Sequence, residues 1–346
     1  MPHLKLKHLT VGTLIAMGVC TAPVMAEPTL EVTGAIEVEI NSGEDHTAAA
    51  KVSDITLATV ELGFDAKINN NVSAHILILH EDDDTDPPVI DEGTISIAMD
   101  SMFLNAGRMY VPFGNFESNM ISDPLTLELG ETQEAAVEFG YESGGLRASV
   151  YVFNGEADKN EIDNDVVDDF GISIGYTMKS GSMNLDFGLD YINNIAETDS
   201  IQGVLQGASA PFIEEHTAGM ALHAIINMDA FSIILEHVSA SDDFNILDLQ
   251  FNGAVASPAA NNIELAYSMD MGGREVTFAI AHQSTSDMDT GFIGLAETRN
   301  MISVSTTVAG DVGLAVEYTN ASDYEATDGG SGESGGMLTA QLAVEF

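Results

Sequence analysis

Apolar and polar residues alternate along most of this chain, and a period of two residues is the pattern of a β-strand with two different faces. In the first such stretch Leu30, Val32 and Ile36 share one face, while Glu31 and Glu37 lie on the other. Repeated segments of about ten residues with this character are typical of strands in a membrane β-barrel. The alternation therefore predicts strands that face lipid on one side and an enclosed polar interior on the other.

Sixteen segments of the chain carry this alternation. The predicted strands are 29–41, 54–68, 72–81, 94–100, 102–110, 135–142, 146–155, 168–179, 183–196, 216–228, 231–240, 261–271, 274–285, 299–309, 312–322 and 337–346. An even number is expected for an antiparallel barrel whose two termini lie on the same side of the membrane. The sequence thus predicts an all-β fold, a transmembrane antiparallel up-and-down β-barrel of 16 strands.

The connections between these segments alternate between short and long. The short connections are rich in Gly, Asn, Asp and Ser, which form tight turns between antiparallel neighbours. The long connections are 42–53, 82–93, 111–134, 156–167, 197–215, 241–260, 286–298 and 323–336. Short turns at the periplasmic end and long loops at the external end are the topology of outer-membrane barrels.

The third long connection differs from the others. Residues 110–134 combine many apolar side chains with prolines at Pro112 and Pro124, each of which fixes its own φ and restricts the residue before it. A segment with this apolar content is expected to pack against protein instead of extending into water. Sixteen strands enclose more space than side chains can fill, so we predict an inward-folded third external loop that narrows an aqueous channel.

Polar side chains of this loop are the predicted constriction, because rings of charge at the narrowest point of a pore select ions. The predicted constriction and solute-contact residues are Asn115, Glu117, Asp123, Glu128, Glu131 and Glu134, with Arg108 and Arg147 on adjoining strands. The two arginines could equally pair with neighbouring carboxylates and hold the loop. The predicted inner face is largely acidic, with Glu37, Glu61, Asp65, Glu138, Glu142, Asp186, Asp190, Glu264, Asp270 and Glu317.

The N-terminal sequence predicts a signal peptide, and the charge balance disfavours one class of partner. Residues 1–26 have a positive start, an apolar run and a small-residue site, which predicts a cleaved signal peptide followed by an outer-membrane β-barrel over 27–346. The only cysteine, Cys20, lies in the predicted signal, so no disulfide is expected in the barrel. With 10 basic and 55 acidic residues the net charge is −45, which disfavours nucleic acid as a partner.

Other chemistry is weakly represented. Ser232 and His223 lie on either side of a short turn, but nothing distinguishes them from a chance nucleophile and base. His75 and His80 are an odd number of residues apart on one strand, so they face opposite sides and cannot share a metal ion. We therefore predict no catalytic site, no metal site and no cofactor, and we do not expect an enzyme.

Several segments resemble a known family. VTGAIEVE (32–39), GRMYVPFGNFESNMISDPLTLELGETQEAAVEFG (107–140) and SVYVFNGE (149–156) are similar to the LbtU-type (legiobactin receptor) siderophore porin family of bacterial outer-membrane β-barrels. The resemblance is dense over about 30–156. It implies an outer-membrane, porin-like channel that takes up a ferric siderophore. The mature chain is too short for the roughly 22 strands and the plug of energy-coupled receptors, so we expect no plug domain.

Two other functions remain open at this point. The acidic interior favours a general cation-preferring diffusion porin, and acidic external loops would also suit a structural or adhesive barrel. The expected partners are outer-membrane lipid, lipopolysaccharide and a small solute or ferric siderophore, and a homo-oligomer is compatible with the sequence. The last strand ends in Phe346, which resembles the signal by which the barrel-assembly machinery recognises bacterial outer-membrane proteins.

Overall fold

The computed structural model describes residues 28–47, 50–82, 87–157, 159, 166–207, 212–288, 294–310 and 312–346. The predicted signal peptide, 1–26, lies outside the described residues. All structural statements below refer to the described ranges.

Sixteen of the strands form one closed antiparallel barrel, and β12 and β13 form a separate small hairpin. The strands are β1 (Thr29–Glu44), β2 (Lys51–Lys67), β3 (Val72–His80), β4 (Val89–Met99), β5 (Met102–Tyr110), β6 (Gln133–Ser143), β7 (Leu146–Phe153), β8 (Asp169–Ser180), β9 (Met183–Ile192), β10 (Gly219–Met228), β11 (Phe231–Ala240), β12 (Gln250–Phe251), β13 (Ala254–Val255), β14 (Ala259–Asp270), β15 (Glu275–Ser286), β16 (Thr298–Ala309), β17 (Val312–Ser322) and β18 (Ser334–Glu345). The predicted fold class is confirmed.

The alternating apolar and polar residues of each strand lie on the outer and inner faces of the barrel wall. Ile95, Ile263 and Ile302 are each more than half exposed on the outside, where an apolar band meets lipid. The next residues along the same strands point to the interior, and among them Glu264 is buried. Residues that pair across neighbouring strands share a face, so the register carries this division around the whole barrel.

Several strand ends differ from their predicted positions. β4 begins at Val89 instead of 94, because the irregularity at Asp91 shifts the β3–β4 register and interrupts the alternation. β9 ends at Ile192 instead of 196, and β18 begins at Ser334, inside a glycine-rich stretch predicted to be loop. In β4 and β18, backbone pairing with a neighbouring strand stabilises the added residues although their side chains carry no clear strand pattern. Beyond Ile192 the chain instead leaves the wall and forms a short 3-10 helix, Ile195–Glu197.

Short helices inside the long connections were not predicted. α1 (Leu125–Gly130) lies in the third external loop and α2 (Asp199–Gly207) in the fifth. In the described part of the chain, every helix is too short or too polar to cross a membrane.

An apolar core lies inside the external end of the barrel. The third loop and the loops at 193–218, 241–258, 287–297 and 323–333 contribute to it together with inward residues of the wall. Its largest fully buried side chains include Phe113, Leu125, Leu129, Tyr151, Phe153, Ile195, Phe244 and Met288. The external end is therefore a packed layer on one side and not a set of loose loops.

The phenol of Tyr324 ties two of these loops to the wall. Its hydroxyl lies 2.6 Å from Thr285 Oγ1 on β15 and accepts the backbone N–H of Met288 at 3.3 Å. Burial raises the pKa of Tyr324 to about 12, so the hydroxyl stays protonated and keeps its role as a donor.

The barrel closes where β1 meets β18. Phe346 exchanges backbone hydrogen bonds with Gly34 at 2.9 and 3.0 Å, and its ring lies against that glycine. Further along the same seam, a Cβ on Gly43 would come within 2.1 Å of the Gly336 carbonyl oxygen. Only a glycine at position 43 therefore permits the observed approach of the two strands.

We expect Gly43→Ala to destabilise the barrel by roughly 1–3 kcal/mol, because the added methyl meets backbone that cannot rotate away. Gly93→Ala is the matched control, since a Cβ there meets nothing within 4 Å. Urea unfolding followed by circular dichroism measures both. Equal midpoints for the two variants would contradict this account of the seam.

Candidate functional site

The third external loop, 111–132, folds into the barrel instead of away from it. It connects β5 to β6, yet its backbone contacts the opposite wall, on strands from β9 round to β17. Carboxylates on the inner faces of those strands accept its backbone N–H groups. The predicted inward loop is therefore confirmed, and its means of attachment is a series of buried acids.

Glu236 on β11 is the central attachment. Its Oε1 accepts the backbone N–H groups of Asn115 at 2.7 Å and Phe116 at 3.1 Å. Its Oε2 accepts the Thr126 hydroxyl at 2.7 Å. Glu236 is only 6% exposed, and a buried carboxylate needs such donors to offset its lost hydration.

Asp190 on β9 holds the start of the loop. Its Oδ2 accepts the backbone N–H of Gly114 at 3.0 Å. Gly114 has φ +92° and a Cβ there would meet the Phe116 ring at 2.3 Å, so the turn requires glycine. Phe116 itself has φ +61°, which is uncommon for an aromatic residue and is maintained by the carboxylates on either side.

Glu264 on β14 holds the middle of the loop. It accepts the Ser118 hydroxyl and the Asn119 backbone N–H, each at 2.7 Å. The side-chain amide of Asn262 on the same strand donates to Glu264 at 3.0 Å. The carboxylate is thus saturated by donors although it is buried.

Glu317 on β17 holds the tip of the loop, which is formed by Ile121 and Ser122. It accepts the backbone N–H of Ile121 and both the N–H and the hydroxyl of Ser122, the last at 2.6 Å. Thr319 Oγ1 donates to the same carboxylate at 2.9 Å. Glu317 and Ile121 are both buried, so water does not compete for these bonds.

One buried arginine completes the attachment. Arg299 on β16 donates from Nη1 to the backbone carbonyl of Asp123 at 2.8 Å. The carboxylates of Glu128 and Glu317 are near enough to act on its charge. A buried guanidinium is stable only with such partners.

Small residues on the wall make room for the tip. Met120 packs in one apolar cluster with Ala266, Ala279, Ala281 and Met301. The three alanines lie side by side on β14 and β15 and leave a shallow floor that the methionine fills.

The predicted loop residues occupy different environments. Asn115 is exposed, and its Oδ1 accepts the backbone N–H of Glu117 at 3.3 Å. Glu117, Glu128 and Glu131 are half-buried, whereas Asp123 is buried beside Arg299. Asn115, Glu117 and Glu128 thus remain proposed contacts for a solute.

Glu131 and Glu134 lie where the loop returns to the wall. The carbonyl of Glu131 accepts the backbone N–H of Asp199 at 2.9 Å, which links the third loop to α2. Glu134 is half-buried on β6, with Glu156 and Glu197 near it. Both residues therefore lie beside α2, and their contact with a solute stays a prediction.

The structure separates the two predicted arginines. Arg147 is on the inner face of β7, 3.4 Å from Glu138 and over the Phe103 ring. Arg108 stands opposite Ala135 on the outer face, exposed, and donates to Gln133 at 2.8 Å. The prediction that Arg108 faces the loop carboxylates is therefore wrong, because its position in the β5 alternation points it out of the barrel.

Two residues of the attachment were missed in the sequence. Glu236 lies on the same face as the apolar Ile234 and Val238, so the alternation alone did not mark it as inward. Arg299 sits at the start of a predicted strand, and its partner in the loop, Asp123, is 176 positions away in the sequence. Asp190, Glu264 and Glu317 were predicted to face inward, although not to hold the loop.

In the described residues Ser232 and His223 are not brought together, and no metal site is assembled. His223 Nε2 lies 3.1 Å from Asp186 Oδ1, whereas Ser232 is in register with Asn227, about 13 Å along the strands from His223 by the strand rise. His75 is paired with Asp65 at 2.8 Å. No three His, Cys, Asp or Glu side chains of the described ranges converge on a metal position.

Comparison with protein families and sequences gives consistent matches. A family model described as Gram-negative porin matches residues 13–287. UPF0422 protein lpl2888 of Legionella pneumophila (strain Lens) is 25% identical over 365 residues, covering 94% of this chain and 68% of the relative. A UPF0422 protein of Coxiella burnetii (strain RSA 493 / Nine Mile phase I) is 25% identical, covering 99% of this chain and 77% of the relative.

Solved structures share the fold at low sequence identity. The anion-selective porin from Comamonas acidovorans has a TM-score of 0.65 and 12% identity, and the match covers 92% of this chain and 100% of that chain. The outer membrane channel DcaP of Acinetobacter baumannii has a TM-score of 0.60 and 12% identity, and the match covers 93% of this chain and 98% of that chain. Salmonella typhi OmpF has a TM-score of 0.61 and 10% identity, and the match covers 92% of this chain and 97% of that chain.

We expect Glu236→Ala to cost at least about 2 kcal/mol, because it leaves two N–H groups and one hydroxyl of the loop without their acceptor. Glu236→Gln keeps one acceptor oxygen and should cost less. Circular dichroism in urea measures stability, and single-channel recordings should show larger, noisier currents for the alanine variant. Glu275→Ala, at an exposed site on β15, is the control; an equal loss there would contradict the loop attachment.

Proposed function

Because the chain belongs to the Gram-negative porin family and forms a sixteen-stranded barrel of the bacterial outer membrane, we propose that it is a diffusion channel with a preference for cations. The passage runs between the inward loop and the opposite wall, formed by β18 and β1 to β5. The observation that carries the proposal is the attachment of the loop to one side of the barrel, from β9 to β17.

The charges along this passage support the preference. Glu61, Glu92 and Asp65 are half-buried on the inner faces of β2 and β4. On the loop side, Glu117 and Glu128 are half-buried as well. Fixed carboxylates in a narrow, low-dielectric passage raise the local concentration of cations and repel anions.

The basic residues offset little of this charge. Arg299 is buried beneath the loop and Arg108 points outward. Arg147 is inside the barrel but is paired with Glu138. These arginines are buried, outward-facing or paired, so they leave the carboxylates to dominate the charge of the passage. This supports cations as the solutes.

Uptake of a ferric siderophore is the second candidate. The resemblance of residues 30–156 to siderophore porins favours it, and a barrel of sixteen strands is narrower than the roughly 22 strands of receptors with a plug. A polycarboxylate chelate would be anionic and opposed by the wall, so this candidate suits chelates of low net charge.

We expect potassium to be preferred over chloride in planar bilayers that separate unequal KCl concentrations. The double variant Glu117→Gln with Glu128→Gln should lower that preference, because it removes two carboxylates beside the passage. Deleting 115–131 should raise the conductance and keep cation preference, since it exposes Asp190, Glu236, Glu264 and Glu317. A chloride-preferring reversal potential would refute the proposal, and an absence of conductance would favour an adhesive barrel.

Iron uptake separates the second candidate from the first. If the channel carries ferric siderophores, cells that lack the gene should accumulate less radioactive iron from a purified chelate than complemented cells. Uptake of a small cationic solute serves as the parallel measurement. Equal iron uptake in both strains would remove the siderophore function and leave the cation channel.

A further inference from the structure

His223 on β10 lies between the two carboxylates that hold the start of the inward loop. It is in register with Glu236 on β11 and with Gly188 on β9. Asp190 is two residues along β9 from Gly188 and is therefore the diagonal neighbour of His223. Side chains that face each other on paired strands lie about 5 Å apart between Cβ atoms, and diagonal ones about 7–8 Å. One imidazole is thus close to both acids.

The imidazole is buried and points at a third carboxylate. Its Nε2 lies 3.1 Å from Asp186 Oδ1, and the side chain of His223 is only 10% exposed. Asp186 also accepts the Thr177 hydroxyl. The other ring nitrogen, Nδ1, has no hydrogen-bond partner among the described residues. The influence of His223 on Asp190 and Glu236 is therefore electrostatic, since the imidazole is not hydrogen-bonded to either of them.

The charged groups that act on the imidazole in the described part of the chain are all acidic. Asp186 and Asp190 face it from β9, and Glu236 faces it from β11. Its neighbours on the same face of β10 are apolar, and the loop residues bonded to the two outer acids, 114–116, carry no charge. Three carboxylates repel one another unless a positive charge lies among them. A proton on His223 supplies that charge, and a neutral imidazole does not.

We propose that His223 is a positioning residue for the inward loop, and that its proton strengthens the attachment of the loop to the wall. A charged His223 offsets the repulsion between Asp190 and Glu236, which then both accept N–H groups of the loop. When His223 is neutral, that repulsion is no longer offset, and the bonds from Gly114 and Asn115 weaken. An imidazole exchanges its proton between about pH 5 and 8, so the loop is held more firmly in mildly acidic than in alkaline surroundings.

Hydrogen–deuterium exchange of the refolded full-length barrel, followed by mass spectrometry, tests the proposal on the loop N–H groups themselves. After correction for intrinsic exchange, we expect segment 113–118 of the wild type to be at least about tenfold better protected at about pH 6 than at about pH 8.5. His223→Gln keeps a donor for Asp186 but carries no charge, so it should show the lower protection at both pH values. His223→Lys is charged at both and should restore the higher protection.

Two glycine variants test the position of the ring while leaving the histidine in place. A Cβ on Gly188 would lie 2.3 Å from the imidazole Cε1, whereas a Cβ on Gly175, its register partner on β8, would have its nearest neighbour at 3.6 Å. Gly188→Ala should therefore displace the ring and reduce the difference in protection between the two pH values. Gly175→Ala should leave that difference unchanged. His75→Gln is the histidine control, because His75 pairs with Asp65 on the opposite wall.

Two outcomes would overturn the proposal. If the pH difference in protection persists in His223→Gln, the group that titrates lies elsewhere. If the wild type is equally protected at both pH values, His223 only fills space beside Gly188 and donates to Asp186. Circular dichroism verifies that each variant has folded, and the wild-type profile with the two glycine variants decides the matter even where a substitution of His223 prevents folding.

The outcome does not depend on which ions the channel conducts, because exchange is measured without ion flow. A chloride-preferring channel would refute the proposed function and leave the role of His223 standing. Loop protection that ignores pH would refute the role of His223 and leave cation preference standing. In single-channel recordings, the weaker attachment should appear as larger current noise at about pH 8.5 than at about pH 6 in the wild type, with no such difference in His223→Gln.

Discussion

The structure depends on the pairing of loop backbone N–H groups with carboxylates on the barrel wall. A segment folded into a barrel loses contact with water along much of its backbone, and every buried N–H needs an acceptor. Asp190, Glu236, Glu264 and Glu317 provide those acceptors on four strands. The same bonds satisfy the carboxylates, so neither the loop nor the acidic wall would be stable in this form without the other.

This pairing also bears on where the proposed passage lies. N–H groups of the loop occupy the carboxylate acceptors on one half of the wall. The loop also covers small residues there, such as Ala266 and Ala279. The other half keeps its acids toward the interior, including Glu61 and Glu92. The barrel interior is therefore asymmetric, with a packed side at the external end and, opposite it, the acidic side along which we propose the passage.

Much of the fold could be predicted because alternation and turn chemistry are local properties. The sixteen barrel strands, their order and the inward third loop all followed from the pattern. The start of β4 at Val89 did not, because a register irregularity at Asp91 depends on the neighbouring strand. The site was harder for the same reason. Glu236 and Arg299 take their roles from residues more than 100 positions away in sequence, and no local pattern reports such contacts.

The wall carboxylates bind mainly the main chain of the loop. An N–H group is present in every residue except proline, so Asn115, Phe116, Asn119 and Ile121 are held through atoms that substitution does not remove. The side chains that project toward the passage can therefore be exchanged while the path of the backbone persists. Such a framework lets related channels diversify in what they admit without rebuilding the support beneath.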